Sequence, residues 1–211
     1  MSWTLTGSGI RMRDIGHVLF VLGAIGYALV TIRVLVDVLL RGYVIGLMDE
    51  GILMSGIGLL SLAWFIIGRK YGEKSFSITG LLGFVFIGTL VILRLAPLWM
   101  KSLWMGGASR ALIRFTTAFT MLMRAIMFFL FYAFMAISLN RATQILHVRY
   151  FKYSSVFLIL FLLVHASSLI TSIILPLTLL ELEDITISAM KILYMTACLL
   201  AAYSFISPLL K

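Results

Sequence analysis

Charged side chains inside long apolar runs carry whatever chemistry this sequence can do, because an ion in such a setting is costly unless it is paired or used. On the first run Arg33, Asp37 and Arg41 are four residues apart each time. That spacing places them on one helix face, one turn above another, with alternating sign. On the fourth run Arg110, Arg114, Thr117, Met121 and Arg124 follow a 4-3-4-3 rhythm and fall on a single helical stripe. Arg94 lies late in the third run and Lys191 early in the sixth. The simplest use of this set is an ion-pair network near one membrane face, drawn from Arg33, Asp37, Arg41 and Lys191, with Arg33 and Lys191 snorkelling to the interface. A sharper use is an electropositive funnel for an anionic solute, a lipid head group or a polyanion. The funnel rests on Arg94 and above all on Arg124, which is expected near mid-membrane, too deep to snorkel. A third use is charge pairing with another subunit. Voltage sensing is not expected, since the stripe leaves two turns empty between Arg114 and Arg124.

A second polar constellation is His165, Ser168 and Ser172, at i, i+3 and i+7, with Thr171 beside them and Pro176 a turn further on. A histidine at mid-membrane could relay protons, bind a metal or ligate haem. The last two need partners, and the other histidines, His17 and His147, are expected at the membrane surface. The chain holds no His-x-x-x-His, Glu-x-x-His or Cys-x-x-Cys spacing, so no metal site and no cofactor is expected. Serine in a membrane helix commonly bonds to a neighbouring helix, worth about 1 kcal/mol, and that is the reading preferred for Ser168 and Ser172. A GxSxG elbow, a P-loop, a GxGxxG turn and a pair of carboxylates within one span are all lacking, so an enzyme is not expected. Cys198 is the sole cysteine, which excludes a disulfide within the chain.

The elements that must position these residues are six apolar stretches: Ile15–Leu40, Gly51–Ile67, Ser77–Trp99, Leu112–Leu139, Tyr153–Leu180 and Ile185–Leu210. About 20 mostly apolar residues cover a hydrocarbon core of roughly 30 Å. The composition agrees, at 62% hydrophobic and 12% charged, against roughly 25% charged in a globular domain. The expected fold is therefore all-α, an integral membrane bundle of six transmembrane helices with short loops, filling residues 1–211 as a single membrane domain. The polar flank with Arg11, Arg13 and Asp14 resembles the start of a signal peptide, but the apolar run after it is long and lacks a small-x-small site. It is read as a retained first helix.

Lysine and arginine alternate between connectors. Arg11 and Arg13, then Arg69, Lys70 and Lys74, then Arg141, Arg149 and Lys152, and finally Lys211 fall on one side. Asp49 and Glu50, then Glu181, Glu183 and Asp184, fall on the other. The bias places both termini in the cytoplasm of a cell membrane, against the grain of Lys101, Arg110 and Arg114 on the outer side. Much of the net charge of +9 is this loop bias rather than a mark of nucleic-acid binding. All seventeen glycines fall at or before Gly107. Gly23 with Gly26, Gly51 with Ser55 and Gly58, and Gly80 with Gly83 recur at helix-contact spacings, so the first three helices are expected to form a tight core. Later helices would pack through Ala118, Ala125, Ala166, Ala197 and Ala201, and the aromatic run Phe128–Phe134 is expected to face lipid or a partner. One Asn and one Gln also fit a thermophilic source.

Three functional expectations follow. The leading one is a non-enzymatic membrane subunit of a larger assembly, among membrane lipids and either other subunits or further copies of itself, anchoring partners or lining part of a translocation path. The second is a self-sufficient small channel or transporter for an anion, with Arg94, Arg124, His165 and Ser168 on the route and nucleic acid as the extreme cargo. A haem- or quinone-binding redox subunit resting on His165 comes last.

Overall fold

A computed structural model of the protein describes residues 12–39, 46–105, 109–174 and 180–207. Among the described residues there are six helices and no strand: α1 (Met12–Leu39), α2 (Gly46–Tyr71), α3 (Lys74–Met105), α4 (Arg110–Leu146), α5 (Tyr150–Ile174) and α6 (Leu180–Ile206). Each contains a segment long and apolar enough to cross a membrane. The connections described are tight. Gly72 at φ 68° and His147 at φ 53° take the left-handed conformation that turns the chain after α2 and α4. Ser109 caps α4 by accepting a hydrogen bond from the Leu112 backbone N–H.

Every helix packs on its neighbours in chain order, and α6 returns to pack on α1, so the six close into a ring. Adjacent helices run in opposite senses. Gly26 meets Leu60 while Val30 meets Gly56; Thr79 donates to the Phe134 carbonyl and lies 2.8 Å from the Ser138 hydroxyl. Ser155 donates to the Ala136 carbonyl and Ser154 to the Ala197 carbonyl. The result is an up-and-down bundle. Its near end holds the start of α1 and the end of α6. Its far end holds the ends of α1, α3 and α5 and the starts of α2, α4 and α6.

Two helix pairs approach most closely where glycine removes the side chain. A Cβ on Gly26 would fall 2.9 Å from the Leu60 nitrogen and 3.0 Å from the Gly56 oxygen, and one on Gly80 would fall 2.5 Å from the Ser61 oxygen. The α2 contact on α1 is thus made by Gly56. Gly51 faces open space and Gly58 meets only Ile87, at 3.7 Å, because the stripe that faces α1 runs through Gly56 and Leu60.

The near end is sealed by aromatics from five helices. Trp64 of α2 lies 5.0 Å from Phe76 of α3 and 5.4 Å from Phe205 of α6 between ring centroids. Phe151 of α5 meets Phe205 at 5.2 Å, and the Trp64 Nε1–H donates to the Tyr27 hydroxyl of α1 at 3.2 Å. All five rings are buried. The plug combines large apolar burial with edge-to-face ring contacts and satisfies the indole N–H.

The aromatic run of α4 does not face outward as a block. Phe131 and Tyr132 are buried, with Phe131 stacked on Phe86 and Tyr132 bonded to Tyr194. Seven consecutive helical residues sweep nearly two full turns, so part of any such run must face inward. On α6 Ala197 and Ala201 are buried, whereas Ala118 on α4 is exposed. The third and fourth helices exceed the expected spans, at 32 and 37 residues. They are about 48 and 55 Å long, and Pro97 is carried inside α3 rather than ending it.

Candidate functional site

Toward the far end, a cavity of about 180 Å³ is lined by Arg33, Leu53, Met54, Leu90, Leu93, Arg94 and Arg124. Its walls come from α1, α2, α3 and α4. Since α1 and α4 are not neighbours in the ring, a space that touches both lies on the inner side of the bundle. Arg33 stands six residues before the end of α1, about 9 Å along the axis. Leu90 and Arg94 are one turn apart on α3, and Arg124 sits two turns ahead of the buried Phe131 on α4. Arg33 is half-buried, while Arg94 and Arg124 are exposed at the open side.

Three arginines from three helices therefore line one space, and among the described side chains that line it there is no carboxylate. Asp37, one turn beyond Arg33 on α1, is held elsewhere: its Oδ2 lies 2.8 Å from Lys191 Nζ, tying α1 to α6. A guanidinium carries five N–H donors in a planar fork, so one that already bonds to a protein acceptor still has donors for a ligand. Leucine and methionine walls lower the local polarity and lengthen the reach of these charges. Chemically, the arrangement attracts and orients an anion. Among the described residues it offers no nucleophile with an adjacent base, and no group of three His, Cys, Asp or Glu side chains suited to a metal ion.

A second polar group lies nearer the middle of α4 and α6. About 12 Å further along α4 from Arg124, the Tyr132 hydroxyl lies 2.6 Å from that of Tyr194, with the buried Cys198 one turn further along α6. Phe86, Phe128 and Phe161 pack around Tyr132. Beyond this pair comes the aromatic plug of the near end.

The structure does not bring His165 and Ser168 to the arginine cavity. His165 packs among Phe128, Phe129 and Phe161, with Nδ1 3.2 Å from Met190 Sδ. Ser168 is half-buried one turn further along α5. Ser154 and Ser155 of α5, at the near end, do bridge helices. The Ser172 side chain and Arg41 lie outside the described residues, as do Pro176 and the side chains of Arg110, Asp49, Glu50, Glu181, Glu183 and Asp184. Leu53, Met54, Leu90, Leu93 and the Tyr132–Tyr194 pair escape a reading of the sequence alone. The only local signal is the i, i+4 spacing of Leu90 and Arg94.

Comparison with protein-family models, with curated proteins and with solved structures finds no match to this chain.

Proposed function

We propose that the six helices lie in a lipid bilayer with both ends of the chain on the cytoplasmic side, and that the bundle is a small, non-enzymatic carrier for an anion. The observation behind this reading is the convergence of Arg33, Arg94 and Arg124 on one inward cavity. An arginine at membrane depth is costly enough that three sharing a single space argue for use. The positive-inside bias of the connectors supports the orientation, and it turns the far end, with its open cavity, outward. The Tyr132–Tyr194 pair and the aromatic plug then form the inner barrier of a state accessible from one side, as alternating access requires.

Reconstitution tests this. Liposomes containing the purified chain are loaded against gradients of chloride, acetate and inorganic phosphate, and uptake is followed over empty liposomes. At least one anion moves, and Arg124→Ala abolishes that flux while leaving the thermal unfolding of the bundle in place. Absence of flux for every anion, or full flux in the variant, refutes the carrier reading.

One observation favours a second reading, a subunit of a larger membrane assembly. α4, at 37 residues, is longer than a bilayer core requires, and Leu112, Phe115, Phe119 and Leu122 form an exposed stripe at helical spacing on its first part, which the rest of the described chain leaves open. Purification in mild detergent separates the two: stoichiometric partner chains support the assembly, and a homogeneous single chain refutes it.

A further inference from the structure

We infer that the near end of the bundle holds the head groups of acidic phospholipids, an inference that rests on the bilayer reading and is independent of any carried anion. Arg69, Lys70 and Lys74 flank the turn from α2 to α3, and Arg141, Arg149 and Lys152 flank the turn from α4 to α5. All six are exposed. Across residues 69–74 and 141–152 there is one carboxylate, Glu73, half-buried and accepting a hydrogen bond from the Ser75 hydroxyl at 3.0 Å. The fold unites the two groups. Trp64 meets Phe76, just past Lys74, at 5.0 Å and Phe151, next to Lys152, at 6.5 Å between ring centroids. The Thr79 bonds to Phe134 and Ser138 set Lys74 and Arg141 at the same end of the α3–α4 seam. A cluster of about four to eight basic residues just beyond membrane helices attracts anionic head groups.

Loop bias requires only that basic residues outnumber on one side; it does not require them to be gathered or left with neutral neighbours. Here Arg69 lies 5.7 Å from the Phe65 ring centroid and Lys70 5.8 Å from that of Tyr71. Arg141 donates to Gln144 Oε1 at 3.1 Å. These contacts orient the cations without neutralising them, whereas Lys191 at the far end pairs with Asp37. Depth identifies the occupant. Two residues join α2 to α3 and three join α4 to α5, so neither turn can project far from the membrane. Tyr71, Tyr150, Tyr153 and Tyr203 are exposed at this end, with Tyr150 4.9 Å from Tyr203 and 6.5 Å from Tyr153. Exposed tyrosines at helix ends sit at head-group level, within the screening length of roughly 8–10 Å of lipid phosphates. A soluble acidic protein would have to reach down among head groups to meet these cations. A zwitterionic lipid brings no net charge to them.

The test reconstitutes the full-length chain in phosphatidylcholine bilayers with traces of spin-labelled phosphatidylglycerol or phosphatidylcholine. Electron paramagnetic resonance reads the fraction of each lipid held at the protein surface. At low salt phosphatidylglycerol is expected to be preferred about threefold or more. The preference is expected to fall toward parity at about 1 M salt, where the screening length is about 3 Å. Arg69→Gln with Lys70→Gln, and Arg149→Gln with Lys152→Gln, each lower the preference, and the four changes together remove most of it. Lys101→Gln with Arg114→Gln, at the far end, lowers it less than either near-end pair. Circular dichroism checks that the variants fold, and the two pairs decide the matter if the fourfold variant does not. Parity of the two lipids at low salt, a preference indifferent to salt, or one unchanged in the near-end variants overturns the inference. So does a far-end pair that matters as much as a near-end pair. Release of the chain from liposomes by carbonate overturns the bilayer reading and this inference with it; parity in a chain that resists carbonate overturns this inference alone.

Discussion

Replacing Gly80 by alanine is expected to force α2 and α3 apart, while the same change eight residues along the same helix is harmless. At Gly80 the added Cβ would lie 2.5 Å from the Ser61 oxygen, 2.6 Å from Phe65 Cβ and 2.7 Å from the Phe65 nitrogen. Two of these atoms are backbone and cannot swing aside as a side chain can. The seam must open by roughly 1 Å, and a gap of that size forfeits a quarter to a half of the dispersion energy of the contacts across it. Overpacking of this kind costs about 1–3 kcal/mol, while alanine returns up to about 1 kcal/mol in helix propensity. A net loss of up to about 2 kcal/mol follows. At Gly88 nothing lies within 4 Å of the added methyl group, so only the propensity gain remains. Thermal unfolding of the purified chain in detergent, followed by helical circular dichroism, reads the pair directly. Gly80→Ala melts several degrees below the parent and Gly88→Ala at or above it. Equal melting of the two variants would refute the close approach of α2 and α3 at Ser61.

Two further perturbations probe the polar interior. Tyr132→Phe leaves the Tyr194 hydroxyl without its 2.6 Å partner and is expected to cost about 1–3 kcal/mol; Tyr132→Phe with Tyr194→Phe costs less than the sum of the singles, and strict additivity of melting shifts would show that the hydroxyls do not interact. Lys191→Met strands the Asp37 carboxylate, whose side chain is only 23% exposed, at an expected cost of about 1–2 kcal/mol after allowance for solvent. Adding Asp37→Asn is expected to recover most of that loss, and a double variant less stable than Lys191→Met alone would refute the pairing.

The number and type of elements were legible in the chain because bilayer-length apolar runs are a property of consecutive residues and need no knowledge of the fold. Helix ends were less so. The fourth span was read as Leu112–Leu139, yet α4 runs from Arg110 to Leu146, because a helix continues through polar residues such as Asn140 and Arg141 whose hydropathy ends the apolar signal. The small-residue contact of α2 was placed on Gly51, Ser55 and Gly58, whereas Gly56 makes it. Spacing shows which residues share a stripe, but not which stripe turns toward a neighbour.

The candidate site divides in the same way. Composition and spacing alone singled out Arg33, Arg94 and Arg124 as charges that had to be accounted for, since their cost in an apolar run is local and one-dimensional. That they share a cavity, while Asp37 turns aside to Lys191 and His165 packs against Phe128 and Met190, depended on the ring closing α6 onto α1 and on the rotation of each helix within it. Those rotations are set by close contacts between side chains far apart in the chain, Gly26 on Leu60, Gly80 on Ser61 and Phe205 on Trp64 among them. Such contacts are pairwise and three-dimensional, and no pattern of neighbours along the chain encodes them.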